Sequence, residues 1–328
     1  ARAVDPRKSA TRPHSSAAAG LPPLAEPTAS SYYGLTGEKP IALERLSAVS
    51  ASEFDARLRA GVPFIVADAG GGSEWLSRPC EYYSERWPEG RMRMEYTRGE
   101  GVKYVPLAHD AWRSRDRWRL AHGEHMAEGG KVNAPYVWHI KDGGVEAPPH
   151  IRASVQREWR PPYFVRGYVN RREANESQEL WFSRRRGAVF AHADTYCTAA
   201  VSLQLSGRKR WRLMPAPPIA SSADLVDYHD GRIYGSGKWK PAFEGTVEEG
   251  EAIVFPPGLF HETFVPDDNP PCTASSTFQL QLPAPSGYVR AFLPSLALSH
   301  LYSEGHCRQR WHSYATLAAP AAVPPTLD

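Results

Sequence analysis

Residues 187–214 read GAVFAHADTYCTAAVSLQLSGRKRWRLM, and this stretch decides the fold. Its first apolar run ends at His192, and Asp194 follows with His-x-Asp spacing. Two alternating segments flank the Ser206-Gly207 step, as in two strands joined by a tight turn. The stretch therefore predicts antiparallel strands that carry a histidine and a carboxylate at one end.

A second histidine, His261, lies downstream in VFPPGLFHET, where Pro-Pro-Gly interrupts another apolar run. Two histidines and one carboxylate can occupy one triangular face of an octahedral metal ion and leave three positions open. This ligand set is typical of non-haem Fe(II) oxygenases. We therefore predict His192, Asp194 and His261 as metal ligands and as the catalytic centre.

The strand after the turn, RKRWRLM, has two different faces. Lys209, Trp211 and Leu213 share one face. The other face carries only arginines: Arg208, Arg210 and Arg212. Three arginines cannot all face a core, so the Lys209 face is expected inside, where an unpaired ammonium is costly. Either the lysine head reaches solvent at the strand end, or an anionic ligand pairs with it.

Composition indicates an ordinary soluble globular protein. The 328 residues are 41% hydrophobic and 11% aromatic, and 30 prolines with 26 glycines favour short elements and many loops. A net charge of +3 does not by itself indicate a nucleic-acid partner. No apolar run approaches the ~20 residues of a membrane span. The four cysteines show no Cys-x-x-Cys spacing, which leaves the compartment open, with cytoplasm or nucleus favoured.

Four segments are expected along the chain. Residues 1–40 form a flexible tail rich in Ala, Ser and Pro. Residues 41–180 form an N-terminal layer of helices and strands, and residues 181–290 form the core that holds the metal site. Residues 291–328 form a helical or irregular C-terminal segment. Within the N-terminal layer we predict helices at 50–60, 80–87 and across AWRSRDRWRL at 111–120, with strands at 63–67 and 91–96.

Other histidines are not expected to bind metal. His139 lies in an apolar segment and is interpreted as a packed side chain, and His229 lies in a polar loop. The group His300, His306, Cys307 and His312 matches no strong zinc spacing.

Taken together, these motifs resemble the JmjC and cupin-like oxygenases, including the asparaginyl hydroxylase type. The resemblance covers roughly residues 40–290, since SASEFDARLRAGVPFIVAD and EWLSRPCEYYSERWP match the lead-in of that family. It implies a mainly β fold, a double-stranded β-helix (jelly roll, cupin-like) with flanking helices. It also implies Fe(II) and 2-oxoglutarate as cofactors, O₂ as cosubstrate, and Lys209 as the 2-oxoglutarate anchor.

The chain departs from the family pattern near the cosubstrate. Family members often carry a hydroxyl residue three positions before the first histidine, where this chain has Val189. The segment from Asp194 to Gly207 is about two residues longer than in the asparaginyl hydroxylases, and Ala200 replaces an amide. Because Val189 cannot donate a hydrogen bond, a nearby hydroxyl is expected to do so, with Tyr168, Ser202 and Ser276 as candidates.

The resemblance implies a dioxygenase that hydroxylates a protein or peptide side chain. Demethylation of N-methyl-lysine, hydroxylation of a small molecule and a non-catalytic cupin-like binding module are the alternatives. A nucleic-acid partner would use the basic runs RSRDRWR, SRRRG and GRKRWR, but these fall on different predicted elements and are not expected to converge. The sequence does not define the oligomeric state.

Overall fold

The computed structural model describes residues 40–60, 62–94, 104–107, 117–119, 131–141, 144–165, 178–192, 194, 199–215, 239–256 and 259–280. The helices in these ranges are α1 (Ala51–Ala60), α2 (Cys80–Arg86), α3 (Pro149–Glu158) and a 3-10 turn at Tyr163–Val165. The strands before the central stretch are β1 (Ile41–Ala42), β2 (Glu44–Leu46), β3 (Phe64–Val66), β4 (Arg91–Met94), β5 (Tyr104–Pro106), β6 (Arg117–Arg119), β7 (Lys131–Asn133) and β8 (Tyr136–Ile140). The later strands are β9 (Gln178–Arg184), β10 (Ala188–His192), β11 (Ala199–Ser206), β12 (Lys209–Pro215), β13 (Phe243–Val247), β14 (Ala252–Phe255), β15 (Leu259–Phe264) and β16 (Cys272–Leu280).

Two sheets build the jelly roll. The front sheet has five strands in the order β1-β13-β12-β15-β10. The back sheet has nine strands in the order β2-β3-β14-β11-β16-β9-β8-β4-β5. Strands β9 to β16 pair antiparallel and alternate between the sheets along the chain, except that β12 and β13 are neighbours in the front sheet. This is the mainly β, cupin-like architecture expected from the sequence. This alternation places residues from both sheets around one interior.

Most of the N-terminal strands extend the back sheet, whereas β1 pairs with β13 in the front sheet and β6 pairs with β7 in a separate hairpin. Strand β3 pairs with β14, and β8 pairs with β9. The segment 41–180, expected as a layer beside the core, therefore contributes strands to the sheet itself. Of the expected tail at 1–40 only residue 40 is described, and the segment 291–328 lies outside the described residues.

An aromatic cluster packs on the outer side of the back sheet. The ring of Trp87 lies 5.7 Å from both Trp75 and Trp138, and the ring of Tyr83 lies 5.4 Å from Phe182. These rings are at most 3% exposed, and burial of such large side chains is a dominant source of core stability. Beside the cluster, a disulfide joins Cys80, the first residue of α2, to Cys272, the first residue of β16.

Most predicted elements in this region are found, with shifted ends. The helix predicted at 50–60 spans Ala51–Ala60, and the hydroxyl of Ser50 accepts a hydrogen bond from the Glu53 amide at 3.2 Å, as an N-cap does. The helix predicted at 80–87 ends at Arg86. The helix predicted over 111–120 is wrong at Arg117–Arg119, which form strand β6. Pairing with β7 satisfies the backbone there, and such tertiary pairing overrides a local amphipathic pattern.

No helix in the described part of the chain is long and apolar enough to cross a membrane.

Candidate active site

The three predicted metal ligands lie at one end of the front sheet. His192 is the last residue of β10 and is paired in register with His261 of β15, and Asp194 follows two residues later. The distance from Asp194 Oδ1 is 3.5 Å to His192 Nε2 and 3.9 Å to His261 Nε2. One ligand atom from each side chain lies within 4.8 Å of the other two. We refer to these three residues as the triad.

The surroundings of His261 orient its ring. Its Nδ1 lies 3.3 Å from the carbonyl oxygen of Leu259, which favours a proton on Nδ1 and leaves the Nε2 lone pair facing Asp194. The rings of Phe255 and Trp211 lie 4.8 Å and 5.9 Å from the imidazole. These contacts fix the direction of the Nε2 lone pair before any ligand binds.

The protonation states suit metal binding. Burial, together with repulsion from His192, lowers the pKa of His261 to about 4, so its ring is neutral at neutral pH. Burial pushes the pKa of Asp194 upward, but attraction to His261 and His192 outweighs it and the pKa falls below its ordinary value. A neutral imidazole and an ionised carboxylate are the forms that coordinate a metal ion.

A pocket opens beside the triad, between the two sheets, with an empty volume of ≈ 440 Å³ that includes space open to solvent. All three members of the triad line it. Lys209 and Trp211 line it from the front sheet, as the strand phase predicts. The opposite face of β12 carries ion pairs instead: Arg210 with Glu244, and the buried Arg212 with Glu262.

The buried Arg212 was not expected, because its face was assigned to solvent. Arg212 is 6% exposed and faces Glu262, its partner in register on β15, which is 2% exposed. A charge can be buried where a hydrogen-bonded counter-charge compensates the lost hydration.

Among the described residues, no carboxylate pairs with the head of Lys209. It is 4% exposed, and its Nζ donates to the hydroxyl of Ser275 at 2.7 Å. No ion pair to Lys209 occurs among the described residues, and burial lowers its pKa to about 7. A buried ammonium that donates to a neutral hydroxyl would be stabilised by an anionic ligand in the pocket. The solvent-reaching alternative for this side chain does not hold, since the head is buried.

Hydroxyl groups continue from Ser275 toward the triad. Thr277 lies two residues further along β16 and donates through Oγ1 to the Oγ of Ser202 at 2.9 Å. All three hydroxyl residues line the pocket, and so does Val189. The pocket thus has hydrogen-bonding groups near Lys209 even though position 189 offers none.

The structure separates the residues that we predicted to bind the cosubstrate. Lys209 and Ser202 line the pocket. Ser276 lies on the other face of β16, where its hydroxyl accepts from the amide of Gln178 at 3.2 Å. Its neighbour Ser275 contacts Lys209 in its place, and Tyr168 lies outside the described residues. The sequence could have indicated that Ser276 faces away from the pocket. It lies on the same strand face as Phe278, a large apolar side chain that is buried in the core.

Several pocket residues were not singled out from the sequence, and two of them lie next to each other on one strand. Glu179 and Trp181 lie on β9 with side chains toward the pocket. Their i, i+2 spacing in QELWF places them on one face of a strand. His139, interpreted as a packed histidine, contacts Glu179 from behind, with Nε2 to Oε1 at 3.3 Å.

Comparison with known proteins gives one family match. Residues 168–284, roughly a third of the chain, match the family model described as the JmjC domain. This match includes the triad and Lys209. A search of curated proteins found no match.

Solved structures of the Escherichia coli protein YcfD are similar at low identity. An X-ray structure of YcfD shares 14% identity, with a TM-score of 0.43, over 86% of this chain and 64% of that one. A complex of YcfD, described as a ribosomal oxygenase, with cobalt and 2-oxoglutarate shares 16% identity, with a TM-score of 0.41, over 86% of this chain and 63% of that one. The chain thus spans less than two thirds of the length of these structures. Likeness at this distance identifies neither an activity nor a substrate for this chain.

Proposed function

We propose that this chain, whose residues 168–284 form a JmjC domain, is an Fe(II)- and 2-oxoglutarate-dependent dioxygenase that hydroxylates a protein or peptide side chain. One observation carries the proposal. A two-histidine, one-carboxylate triad and a buried lysine that meets no carboxylate among the described residues line the same pocket. A metal and a dianion would complement these two features.

The triad suits Fe(II). Two imidazoles and a carboxylate on one side of a metal ion leave positions open for the cosubstrate and O₂. A bound Fe(II) would activate O₂, with 2-oxoglutarate as the reductant that leaves as succinate and CO₂, so that the second oxygen atom can be inserted into an unactivated C–H bond. The chain's own contribution is to hold the neutral imidazole of His261, the ring of His192 and an ionised carboxylate with their ligand atoms close together.

The rest of the pocket suits 2-oxoglutarate. The ammonium of Lys209 would pair with the carboxylate remote from the metal, with Ser275 holding the lysine head in place. The Ser202–Thr277 pair offers further hydroxyl groups on the facing sheet. Trp211 and Phe255 line the pocket with apolar surface, which excludes water from the reacting groups.

The type of reaction rests on the resemblance to the asparaginyl hydroxylase type. Demethylation and small-molecule hydroxylation would use the same triad and lysine. The disulfide between Cys80 and Cys272 supports an oxidising compartment rather than the cytoplasm or nucleus favoured from sequence, because disulfides are rare where thiols are kept reduced.

Calorimetry without O₂ tests the proposal as a binding question. The protein is expected to bind one Fe(II) or Mn(II) per chain, and 2-oxoglutarate is expected to bind strongly only after the metal. Asp194→Ala should lose the metal, while Lys209→Ala should keep the metal and lose 2-oxoglutarate affinity. Full metal affinity in Asp194→Ala would contradict the assignment of the triad.

A further inference from the structure

Thr263 of β15 lines the pocket, and its hydroxyl has no hydrogen-bond partner in the described part of the chain. The other hydroxyl residues that line the pocket are engaged. Ser275 accepts from Lys209, and Thr277 donates to Ser202. A hydroxyl carries one proton and rotates to direct it toward an acceptor. Thr263 is therefore available as a donor to a ligand in the pocket.

Strand register places Thr263 beside Val189. Val189 of β10 pairs with Thr263, and Trp211 of β12 follows in the same row. All three side chains line the pocket. The register of β10 shifts between Val189 and His192, so Val189 lies beside Thr263 although it precedes its histidine by three residues. Directly paired residues have Cβ atoms about 4.5–5.5 Å apart. The hydroxyl of Thr263 therefore lies one strand away from the hydroxyl position that Val189 leaves empty.

The row of Thr263 lies between the metal ligands and the lysine. On β15, His261 is two residues from Thr263, and its partner on β12 is Leu213. On β12, Lys209 is two residues from Trp211, on the side away from Leu213. Each of these steps is one strand repeat of about 7 Å. A ligand that joins a metal at the triad to the ammonium of Lys209 therefore lies alongside the row of Thr263.

We infer that the hydroxyl of Thr263 donates a hydrogen bond to the 2-oxoglutarate carboxylate that lies remote from the metal, and so replaces the hydroxyl missing at Val189. This inference rests on the proposed function, since it requires a metal at the triad and 2-oxoglutarate beside Lys209. A spacer of two methylene groups separates the keto carbon from the remote carboxylate. This spacer is shorter than one strand repeat of about 7 Å, so the carboxylate reaches the row of Thr263. A neutral donor beside the ammonium fixes the orientation of the carboxylate.

Removal of the hydroxyl alone tests the inference. Thr263→Val keeps the β-branched shape that a purely structural role in a strand requires. Calorimetry without O₂ on the Mn(II)-loaded chain should show that Thr263→Val binds 2-oxoglutarate about tenfold or more weakly than the wild type, because a hydrogen bond to a charged group is lost. Thr263→Ser keeps the hydroxyl and should stay within about threefold of the wild type. Wild-type affinity in Thr263→Val overturns the inference.

The matched control is a threonine on the other face of the same sheet. Thr246 of β13 pairs with Arg210, whose face of β12 points away from the pocket. Thr246→Val removes a hydroxyl from a front-sheet strand without changing the pocket, and 2-oxoglutarate affinity should stay at the wild-type value. An equal loss in Thr246→Val and Thr263→Val overturns the inference, because the loss would then not come from a contact in the pocket.

A hydroxyl moved across the strand pair tests the position. The double variant Val189→Thr, Thr263→Val places the donor on β10 instead of β15. It should bind 2-oxoglutarate about threefold or more tightly than Thr263→Val alone, because a donor again faces the charged carboxylate. Equal affinities of the single and double variants overturn the assignment of Thr263 to the position that Val189 leaves empty.

Oxalate shows which end of the cosubstrate the hydroxyl contacts. Oxalate has two adjacent oxygen donors for a metal, as the keto-acid end of 2-oxoglutarate does, but no remote carboxylate. Thr263→Val should therefore bind oxalate as tightly as the wild type does, under the same conditions. An equal loss of affinity for both ligands overturns the assignment to the remote carboxylate.

The proposed function and this inference fail in different ways. A metal-loaded wild-type chain that does not bind 2-oxoglutarate rejects the proposed function, and the inference with it. A chain that loses 2-oxoglutarate affinity in Lys209→Ala but keeps it in Thr263→Val rejects the inference alone. If Thr263→Val does not fold, the comparison of Thr263→Ala with Thr263→Ser decides the question, and equal affinities of these two variants overturn the inference.

Discussion

The ammonium of Lys209 on the front sheet lies 2.7 Å from the hydroxyl of Ser275 on the back sheet. This contact crosses the interior of the jelly roll from β12 to β16, and both residues line the pocket. The lysine head points inward, and no carboxylate in the part of the chain that the structure describes pairs with it. Burial of the ammonium is costly, and a dianion bound beside it would compensate that cost. The contact therefore connects the fold with the proposed cosubstrate.

Removal of the lysine head should weaken 2-oxoglutarate binding and leave the metal in place. Truncating one partner of a buried, hydrogen-bonded charge pair costs roughly 2–5 kcal/mol, so Lys209→Ala should raise the apparent 2-oxoglutarate requirement at least tenfold. Ser275→Ala removes one neutral contact and should cost about 1 kcal/mol, a few-fold in affinity. Titration of 2-oxoglutarate against succinate release measures both effects.

The control for this prediction lies on the same strand. Arg210 is one residue along β12, on the opposite face, and its partner is Glu244 at 2.8 Å. Arg210→Ala removes a cation of the same strand without touching the pocket, and 2-oxoglutarate affinity should stay unchanged. Unchanged affinity in Lys209→Ala would instead reject the anchor.

Anion affinity should depend on pH through Lys209. Its pKa of about 7 in the free protein means that the head loses its proton as pH rises above neutral, whereas a bound carboxylate favours the protonated form. Binding above pH 7 therefore takes up a proton, and affinity should fall up to about tenfold per pH unit there. Calorimetry in two buffers of different ionisation enthalpy measures the uptake. No uptake at pH 8, or the same uptake in Lys209→Met, contradicts this account.

The same lysine should make folding stability rise with pH, whereas it makes anion affinity fall. Between about pH 7 and its ordinary value of 10.5, the unfolded chain holds a proton that the folded, ligand-free chain does not. Stability therefore rises with pH across that window, relative to a Lys209→Met variant that lacks the group. Urea unfolding of both chains at pH 7 and pH 9.5 measures how the stability difference between them changes. A wild-type chain that becomes less stable relative to Lys209→Met as the pH rises would contradict this prediction.

The disulfide should contribute substantially to stability. Cys80 and Cys272 are 192 residues apart, and cross-linking so long a loop restricts the unfolded chain. Replacing both cysteines by alanine should lower the free energy of unfolding by about 2–5 kcal/mol. Denaturant unfolding with and without reductant measures the effect. The prediction would be contradicted if reductant left the wild-type unfolding curve unchanged and the double variant were as stable as the wild type.

Local periodicity was sufficient for the secondary structure around the site. Alternation in RKRWRLM gives the phase that directs Lys209 and Trp211 toward the pocket, because three arginines on one face exclude the other phase. The Ser50 cap similarly indicates where α1 begins. Such signals depend on residues close in sequence, and these are the ones that a single chain displays.

The remaining features depend on pairings between distant segments. The burial of Arg212 depends on Glu262, fifty residues further on. The disulfide and the His139–Glu179 contact likewise join distant strands and helices, and nothing local indicates either. The choice of Ser276 over Ser275 is an error of one residue in strand phase, which reverses the face of a side chain. Both residues are serines, so only their positions in the alternating strand pattern determine which one faces the pocket.

Succinate formation from 2-oxoglutarate tests the central claim most directly. The wild-type chain with Fe(II), O₂ and 2-oxoglutarate is incubated beside Asp194→Ala, and succinate is measured by NMR, with circular dichroism confirming that both chains are folded. The account predicts Fe(II)-dependent succinate from the wild-type chain and none from Asp194→Ala. A folded, Fe(II)-loaded wild-type chain that releases no succinate would contradict it, and so would equal release by both chains.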